Sequence, residues 1–310
     1  MSPIRALKRL LPGHLRRQYA IRFRLLRASL APEAIRAERR ADALLVSYPK
    51  CGRTWLTMLL ARAMANAAGL SERELDYLAN DLLGGKVGDL PHVRISHDDN
   101  PHWKTPRQLA RSKRRYREKR VILLVRDPRD TVVSMYFERT RRERAYAGTL
   151  SEFLRERRGS LDTILAYYNV WARERARLDA FCLVRYEDLK VDTAGQLARL
   201  LRFTGANVSD AHIAEAVQFG SFENMRAMEN ADALKSGRLR ARDPKDAESF
   251  KTRKGKVGGY VDYLTPAEIE WMERKLQTLD PSYGYGEPPA ARAGARATKP
   301  ELAPPVGEAH

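Results

Sequence analysis

Cysteine is nearly missing from this chain: Cys51 and Cys182 are the only two in 310 residues. They cannot build a disulfide framework, so a reducing, cytoplasmic setting is expected. There is no run of ~18 apolar residues, and no membrane-spanning helix is expected. The opening, MSPIRALKRLLPGHLRRQYAIRFRLLRASL, is too charged to hold the apolar stretch of a signal peptide. Repeats at solenoid spacing are missing too. Negative charge is in short supply: 39 Asp and Glu face 57 Lys and Arg, a formal net charge of +18. Such a balance attracts polyanions, whether nucleic acid, anionic lipid, acidic glycan or nucleotide. The cations are spread along the whole chain, however, so charge alone selects none of these.

What the sequence does contain is an alternation of strand and helix patterns. DALLVSYP (42–49) is an apolar run ending in turn residues and reads as a buried strand. TWLTMLLARAMANAAG (54–69) reads as a helix closed by Gly69. HVRIS (92–96) is a candidate second strand. RVILLVRDPRDTVVSMYFERT (120–140) repeats the first pattern: a strand over 121–125, then a helix with Asp127 as N-cap and Pro128 at its first position. FCLVRYEDL (181–189) reads as another strand, AGQLARLLRFTG as a helix ending at Gly205, and SDAHIAEAVQF (209–219) as a further helix. TPAEIEWMERKLQTL (265–279) opens with a Thr265–Glu268 capping box.

This alternation specifies an α/β architecture with a central parallel sheet flanked by helices. Residues 229–256 are polar and basic and read as a long loop or lid. Around this domain, taken as 41–286, lie a basic helical extension over 1–40 and a Pro/Ala-rich, disordered tail over 287–310. In the extension, Ile4, Leu7, Leu10, Leu11, Ile21, Leu25 and Leu26 fall at roughly helical spacing between arginines. That suits a helix laid on its own domain, with peripheral contact to an anionic membrane as the alternative.

Ligands of open parallel sheets bind beyond the carboxyl ends of the strands, and three strand ends here are decorated alike. After the first comes YPKCGRTW, where Gly52 lets backbone approach a ligand and the next helix offers N–H groups to an anion. Lys50 and Thr54 add a charge and a hydroxyl. After the third strand come Arg126 and, about two helical turns on, Ser134. After the fourth, Arg185 and Tyr186 precede the acidic pair Glu187 and Asp188. The first turn is not a Walker A loop, because its lysine precedes the glycine. One at a time, these turns read equally well as phosphate sites or as ordinary strand–helix connections.

Together they resemble one family. YPKCGRTW is similar to the 5′-phosphosulfate cradle, Tyr-Pro-Lys-Ser-Gly-Thr-x-Trp, of the sulfotransferases that use 3′-phosphoadenosine 5′-phosphosulfate (PAPS). VRDPRDTVVSMYF resembles that family's 3′-phosphate segment and LVRYEDL its Tyr-Glu-Asp strand end. GSFENM (220–225) resembles its adenine-contacting stretch, and RKGKVGGY (253–260) its Arg-Lys-Gly-x-x-Gly signature. The five motifs keep the family's order, and the resemblance covers residues 42–285.

The resemblance implies a P-loop-like three-layer fold and transfer of a sulfuryl group from PAPS to a hydroxyl or amine, leaving 3′-phosphoadenosine 5′-phosphate (PAP). It implies that Lys50 neutralises the leaving oxygen. The 5′-phosphate would be held by the backbone of Cys51, Gly52 and Arg53 with Thr54, and adenine by Trp55, Tyr186, Ser221, Phe222 and Met225. The 3′-phosphate would fall to Arg126 and Ser134, with Arg253, Lys254 and Gly255 from the lid. Ser134 is also implied to engage Lys50 before an acceptor binds, restraining futile hydrolysis. HVRISHDDN stands where the family has its basic histidine, which points to His97. His92 and His102 compete for that role, and Asp98 or Asp99 is placed to orient the base or meet the acceptor. A metal held by His97, Asp98 and His102 is a weak alternative, since the family needs none.

The sequence also departs from the family. Cys51 stands in place of serine, Arg53 of threonine, and Gly259-Tyr260 of Asp-Trp. The Lys-Thr-Val-Glu dimerisation signature is missing around 260–270, and no other pattern sets the oligomeric state. The acceptor would be chosen by variable loops over 70–90, 98–115, 138–160 and 229–250. Basic stretches in two of them suit an acidic or glycan-like acceptor or a membrane lipid, and read equally well as a solvated basic face. The expected partner is a small-molecule, glycan or lipid acceptor, with no nucleic acid. Two other readings stand beside this one. A nucleotide-dependent kinase would need a lysine after the glycine and an acidic Mg²⁺ ligand; a non-catalytic binder of anionic polymers or lipids would need only the basic surface.

Overall fold

The computed structural model describes residues 12–15, 17–21, 38, 40–71, 75, 89–233 and 239–286. Most of the basic extension and all of the Pro/Ala-rich tail lie outside the described residues, as does much of the first variable loop.

Four strands, β1 (Ala43–Ser47), β2 (Val93–Ser96), β3 (Arg120–Val125) and β4 (Ala180–Arg185), form one parallel sheet in the order β2-β1-β3-β4. Leu44 of β1 pairs with Arg94 on one side and Val121 on the other, and Val125 pairs with Arg185. Ala43–Val46 and Val121–Val125 are shielded completely from solvent. A sheet covered by helices leaves no polar face, which is why these strands are continuous apolar runs. From β1 the chain crosses to β2 on one side, whereas from β3 it crosses to β4 on the other. The crevice beyond the carboxyl ends of β1 and β3 is therefore a topological switch point, where open sheets bind ligands.

The helices start and stop where their caps dictate. Helix α1 (Arg53–Ala67) follows Gly52 (φ 92°) and buries Leu56, Leu59, Leu60 and Met64. Helix α2 (Pro128–Phe137) is capped by Asp127, whose side chain accepts from the Arg129 N–H. A π-helical turn, Glu138–Arg142, continues it. Helices α3 (Leu150–Leu154) and α4 (Leu161–Glu174) follow, with Tyr167, Tyr168 and Trp171 of α4 in the core. Two expectations need correction here. The strand read over 181–189 ends at Arg185, and Tyr186–Val191 is helix α5. Glu187 and Asp188 favour a helix N-terminus, and Glu187 accepts from the Asp127 N–H at 2.9 Å and the Tyr285 hydroxyl at 2.5 Å.

Helix α6 (Thr193–Thr204) ends at Gly205 (φ 89°), and α7 (Asp210–Phe219) and α8 (Phe222–Asn230) are capped by Ser209 and Ser221. Because α8 runs to Asn230, the lid begins after it rather than at 229. Helix α9 (Pro266–Leu276) has the expected capping box. Both cysteines are buried thiols. No described helix is long and apolar enough to cross a membrane.

Candidate active site

A cleft of about 450 Å³ opens at the switch point, between the β1–α1 turn, the start of α2, α5, α8 and the lid. Its first wall is the turn Tyr48–Gly52. Lys50 adopts φ 73°, a left-handed conformation that side chains other than glycine rarely hold and that concentrates at functional sites. Gly52 has no room for a side chain, since a Cβ there would lie 2.5 Å from the Tyr186 ring. The cradle thus brings bare backbone and the α1 N-terminus to the cleft, the arrangement an anion requires. Cys51 does not face it. Its thiol is buried against the Tyr168 hydroxyl at 3.2 Å, and burial pushes its pKa up to about 11. It contributes backbone only, so the lost hydroxyl of the family's serine costs the cleft no side-chain donor, and burial disfavours the thiolate that a reactive cysteine needs.

Arg126 joins two walls. One guanidinium nitrogen donates to the Lys50 carbonyl at 3.4 Å and the other to the Lys256 carbonyl at 3.0 Å, while the group lies 4.6 Å over the Tyr186 ring. Asp130, in the first turn of α2, accepts from the Gly258 and Tyr260 N–H groups at 2.8 and 3.0 Å and so fastens the lid. Asp127 is neutralised by the fully buried Arg129 at 2.6 Å. The RDPRD segment therefore caps a helix, pins the lid and aims Arg126 at once. Ser134 is buried at the cleft wall.

The adenine-side candidates also converge. Trp55 donates through its indole N–H to the Gly220 carbonyl at 2.7 Å and meets Tyr186 edge-on, 5.7 Å between centroids. Gly255 (φ 59°) lies flat on Phe222: a Cβ there would come within 2.7 Å of that ring. Arg53, Thr54, Ser221, Met225, Arg253 and Lys254 line the same space. Arg253 is partly engaged by Glu248 at 3.0 Å, and Lys254 by Asp262 at 3.0 Å.

His97 lines the cleft beyond β2, and its Nδ1 is 2.9 Å from the Ser47 carbonyl. A carbonyl only accepts, so Nδ1 carries the proton and Nε2 keeps its lone pair. Burial, with Arg53 and His102 nearby, holds the imidazole well below its ordinary pKa. His102 lines the cleft as well, 5.8 Å from His97 between ring centroids, but its Nδ1 has no hydrogen-bond partner among the described residues. His92 is buried and does not line the cleft.

Asp98 does not serve the base. Asp98, Asp99 and Asn100 all adopt positive φ (48°, 70° and 51°), a turn that sends the Asp98 side chain away from the cleft. There it accepts from Lys113, from Arg115 at 2.8 Å, from the Tyr116 hydroxyl at 3.0 Å and from the Trp171 indole at 3.1 Å. Asp99 pairs with Lys104. Among the described residues no group of three His, Cys, Asp or Glu side chains could hold a metal.

Asp130, Glu138, Glu143, Lys190, Lys251 and Lys256 also line the cleft without having been marked as site residues by the sequence, and two of them bear on its chemistry. Glu138 pairs with Lys50, Nζ to Oε2 at 2.6 Å. Four residues after Ser134, it shares that helix face, a spacing that would have found it. Lys251 lines the cleft from the lid, and burial, opposed by Glu138, brings its pKa down to about 7. No local pattern marks it.

Comparison with known proteins gives a concordant result. Residues 40–279 match the family described as sulfotransferase domain. Cytosolic sulfotransferase 16 of Arabidopsis thaliana is 29% identical, over 74% of this chain and 72% of its own. Sulfotransferase 2A1 of Mus musculus is 24% identical, over 77% and 84%. Among solved structures, a mouse sulfotransferase complexed with PAP superposes with a TM-score of 0.55 at 20% identity, covering 84% of this chain and 90% of that one. Retinol dehydratase in complex with androsterone and inactive cofactor PAP gives 0.54 at 18%, over 76% and 79%.

Proposed function

The chain belongs to the sulfotransferase domain family, and from that premise we propose that it moves a sulfuryl group from PAPS to a hydroxyl of an acceptor. The observation that carries this reading is the cleft itself. A lysine placed before the glycine of an anion cradle, an arginine across it and a neutral histidine on its far side all face one space. PAPS supplies the activated sulfuryl group, and the residues present fit it. Trp55 and Phe222 line that one space, and the close packing of Gly52 on the Tyr186 ring and of Gly255 on the Phe222 ring brings bare backbone to its wall.

In this reading the α1 N-terminus, Arg53 and Thr54 bind the 5′-phosphate, and Arg126, Ser134, Arg253 and Lys254 bind the 3′-phosphate. Lys50 places its ammonium against the charge that develops on the leaving oxygen. His97 Nε2 takes the acceptor's proton, while Ser47 fixes the tautomer that makes this possible. Little covalent chemistry is asked of the protein; position and preorganised charge do most of the work. A kinase reading is disfavoured by the carboxylates it would need. Asp127 is neutralised by Arg129, and Glu187 is turned to Tyr285.

The direct test is transfer from PAPS to a panel of alcohols, phenols, amines, saccharides and lipids, read as PAP release. Transfer to at least one member is expected, and PAPS left intact with every member contradicts the reading.

Two expected outcomes follow from the roles. Arg126→Ala should weaken PAP by roughly ten- to hundredfold, the value of one or two charge-assisted hydrogen bonds. The same variant should bind 5′-AMP nearly as well as the parent chain, and equal losses for both nucleotides, measured by calorimetry, would remove the 3′-phosphate role. The pH profile tests His97. Its folded pKa is depressed, so the ring stays neutral, and able to accept a proton, as pH falls through its ordinary value. At saturating PAPS, the donor's negative charge keeps Lys251 protonated. Turnover should therefore stay flat down to pH 6.5 and decline only below it. An acid limb centred at or above pH 6.5 rules His97 out as the base.

A further inference from the structure

Glu138 has no part in the chemistry above, yet it holds the residue on which that chemistry most depends. Its carboxylate, 2.6 Å from the Lys50 ammonium, is gripped from its other side by Arg142, whose Nε lies 3.3 Å from the same oxygen. Arg142 is itself fixed. It donates to the Ser249 carbonyl, and to the Arg240 carbonyl at 3.1 Å, and lies 3.6 Å from the fully buried Glu229. Glu229 in turn accepts from the Lys251 and Thr252 N–H groups at 2.7 and 2.9 Å, and from the Thr252 hydroxyl at 2.7 Å. A chain of charges thus runs from the cradle lysine to the backbone of the lid, and Glu138 is held in place rather than swinging with solvent. Burial works against its ionisation, but Lys50 and Arg142 outweigh it and bring the pKa down to about 2.

An ammonium engaged by a carboxylate has its charge largely cancelled, and it cannot at the same time stabilise the oxyanion that forms on the leaving phosphate. Resting on the sulfotransfer reading, we propose that Glu138 is a positioning residue that withholds the Lys50 ammonium from the leaving group until an acceptor enters, and so suppresses loss of the sulfuryl group to water. In that suppressed reaction a water oxygen bonds to sulfur and the bond from sulfur to the bridging oxygen breaks. The bridging oxygen keeps the electron pair as part of PAP, and sulfate and a proton are released. Lys50, His97 and Glu138 line one cleft, so a polar donor of the acceptor other than the reacting hydroxyl, whose proton faces His97, can donate to Glu138, give the carboxylate another partner and release the lysine. The family resemblance assigned this restraint to Ser134. Among the described residues the hydrogen-bond partner of Lys50 is Glu138 instead, and a charge-assisted bond holds harder than a neutral hydroxyl.

The test is sulfate release from PAPS with no acceptor present. Glu138→Gln keeps the side chain's size and removes its charge. It is expected to raise acceptor-free release about tenfold, with PAP affinity equal to or above that of the parent chain. Glu138→Asp keeps the charge but draws it back by one methylene. It should give a smaller rise, and it serves as the test if the glutamine variant does not fold. A purely structural role would lower PAP affinity and melting temperature together without speeding hydrolysis. Folded variants that bind PAP and release sulfate no faster than the parent overturn the proposal alone. A parent chain that neither binds PAP nor consumes PAPS overturns the sulfotransfer reading with it.

Discussion

Lys50→Ala is expected to lower sulfuryl transfer by about a thousandfold, the scale of removing a preorganised charge from a developing oxyanion, while PAP affinity changes by less than about tenfold. The backbone explains why the two effects should separate. Lysine and alanine carry the same Cβ, so the left-handed conformation at φ 73° is no more strained in the variant. The Gly52 turn, the α1 N-terminus and Arg126 are untouched. Glu138 loses one cation but keeps Arg142 at 3.3 Å, so no uncompensated carboxylate is left behind. Single-turnover transfer and PAP calorimetry on the same preparation give the comparison. Parallel losses in both would mean that Lys50 only binds the nucleotide.

Asp98→Ala should be the most damaging single change to stability, at about 3–5 kcal/mol, because it breaks a buried ion pair from one side. The carboxylate is 1% exposed and its partner Lys113 2%. Removing it strands an ammonium that burial already disfavours and that only Asp98 and its neighbours hold in the charged form. It also leaves the Tyr116 hydroxyl and the Trp171 indole without their acceptor. A fall in melting temperature of roughly 6–20 °C follows at 2–4 °C per kcal/mol. Asp99→Ala, one residue away, is the control: its pair with Lys104 is partly exposed and is worth under about 1 kcal/mol. Thermal unfolding of the two variants settles the matter, and similar melting points would contradict the structural role given to Asp98.

The sequence was most readable where one local rule decided the outcome. Val121–Val125 declared a strand by being apolar throughout, Asp127 and Pro128 declared a helix start, and Gly52 declared a close approach. Of the sixteen positions that the motifs place at the site, His97 included, only Cys51 turns its side chain away. Its partners, Tyr168 and Thr131, come from distant segments, so nothing near it in the chain shows that direction. Asp98 misled for the same reason. Beside a candidate base it reads as an orienting carboxylate, and only the left-handed turn over 98–100 sends it to Lys113. Residues 186–189 read as strand because they follow the apolar run 181–184, whereas Glu187 and Asp188 stand in the first turn of a helix. Glu138 and Lys251 were missed because their meaning lies in the pairing across the cleft, a tertiary fact.

The most direct measurement is calorimetric titration of the chain with PAP and with 5′-AMP, each with Mg²⁺ and with chelator. Binding of PAP is predicted to be at least tenfold tighter than that of 5′-AMP, since charge-assisted contacts to the 3′-phosphate are worth about 1.5–3 kcal/mol each, and to be indifferent to the metal. Equal affinities for the two nucleotides, a requirement for Mg²⁺, or no binding of PAP would contradict the account.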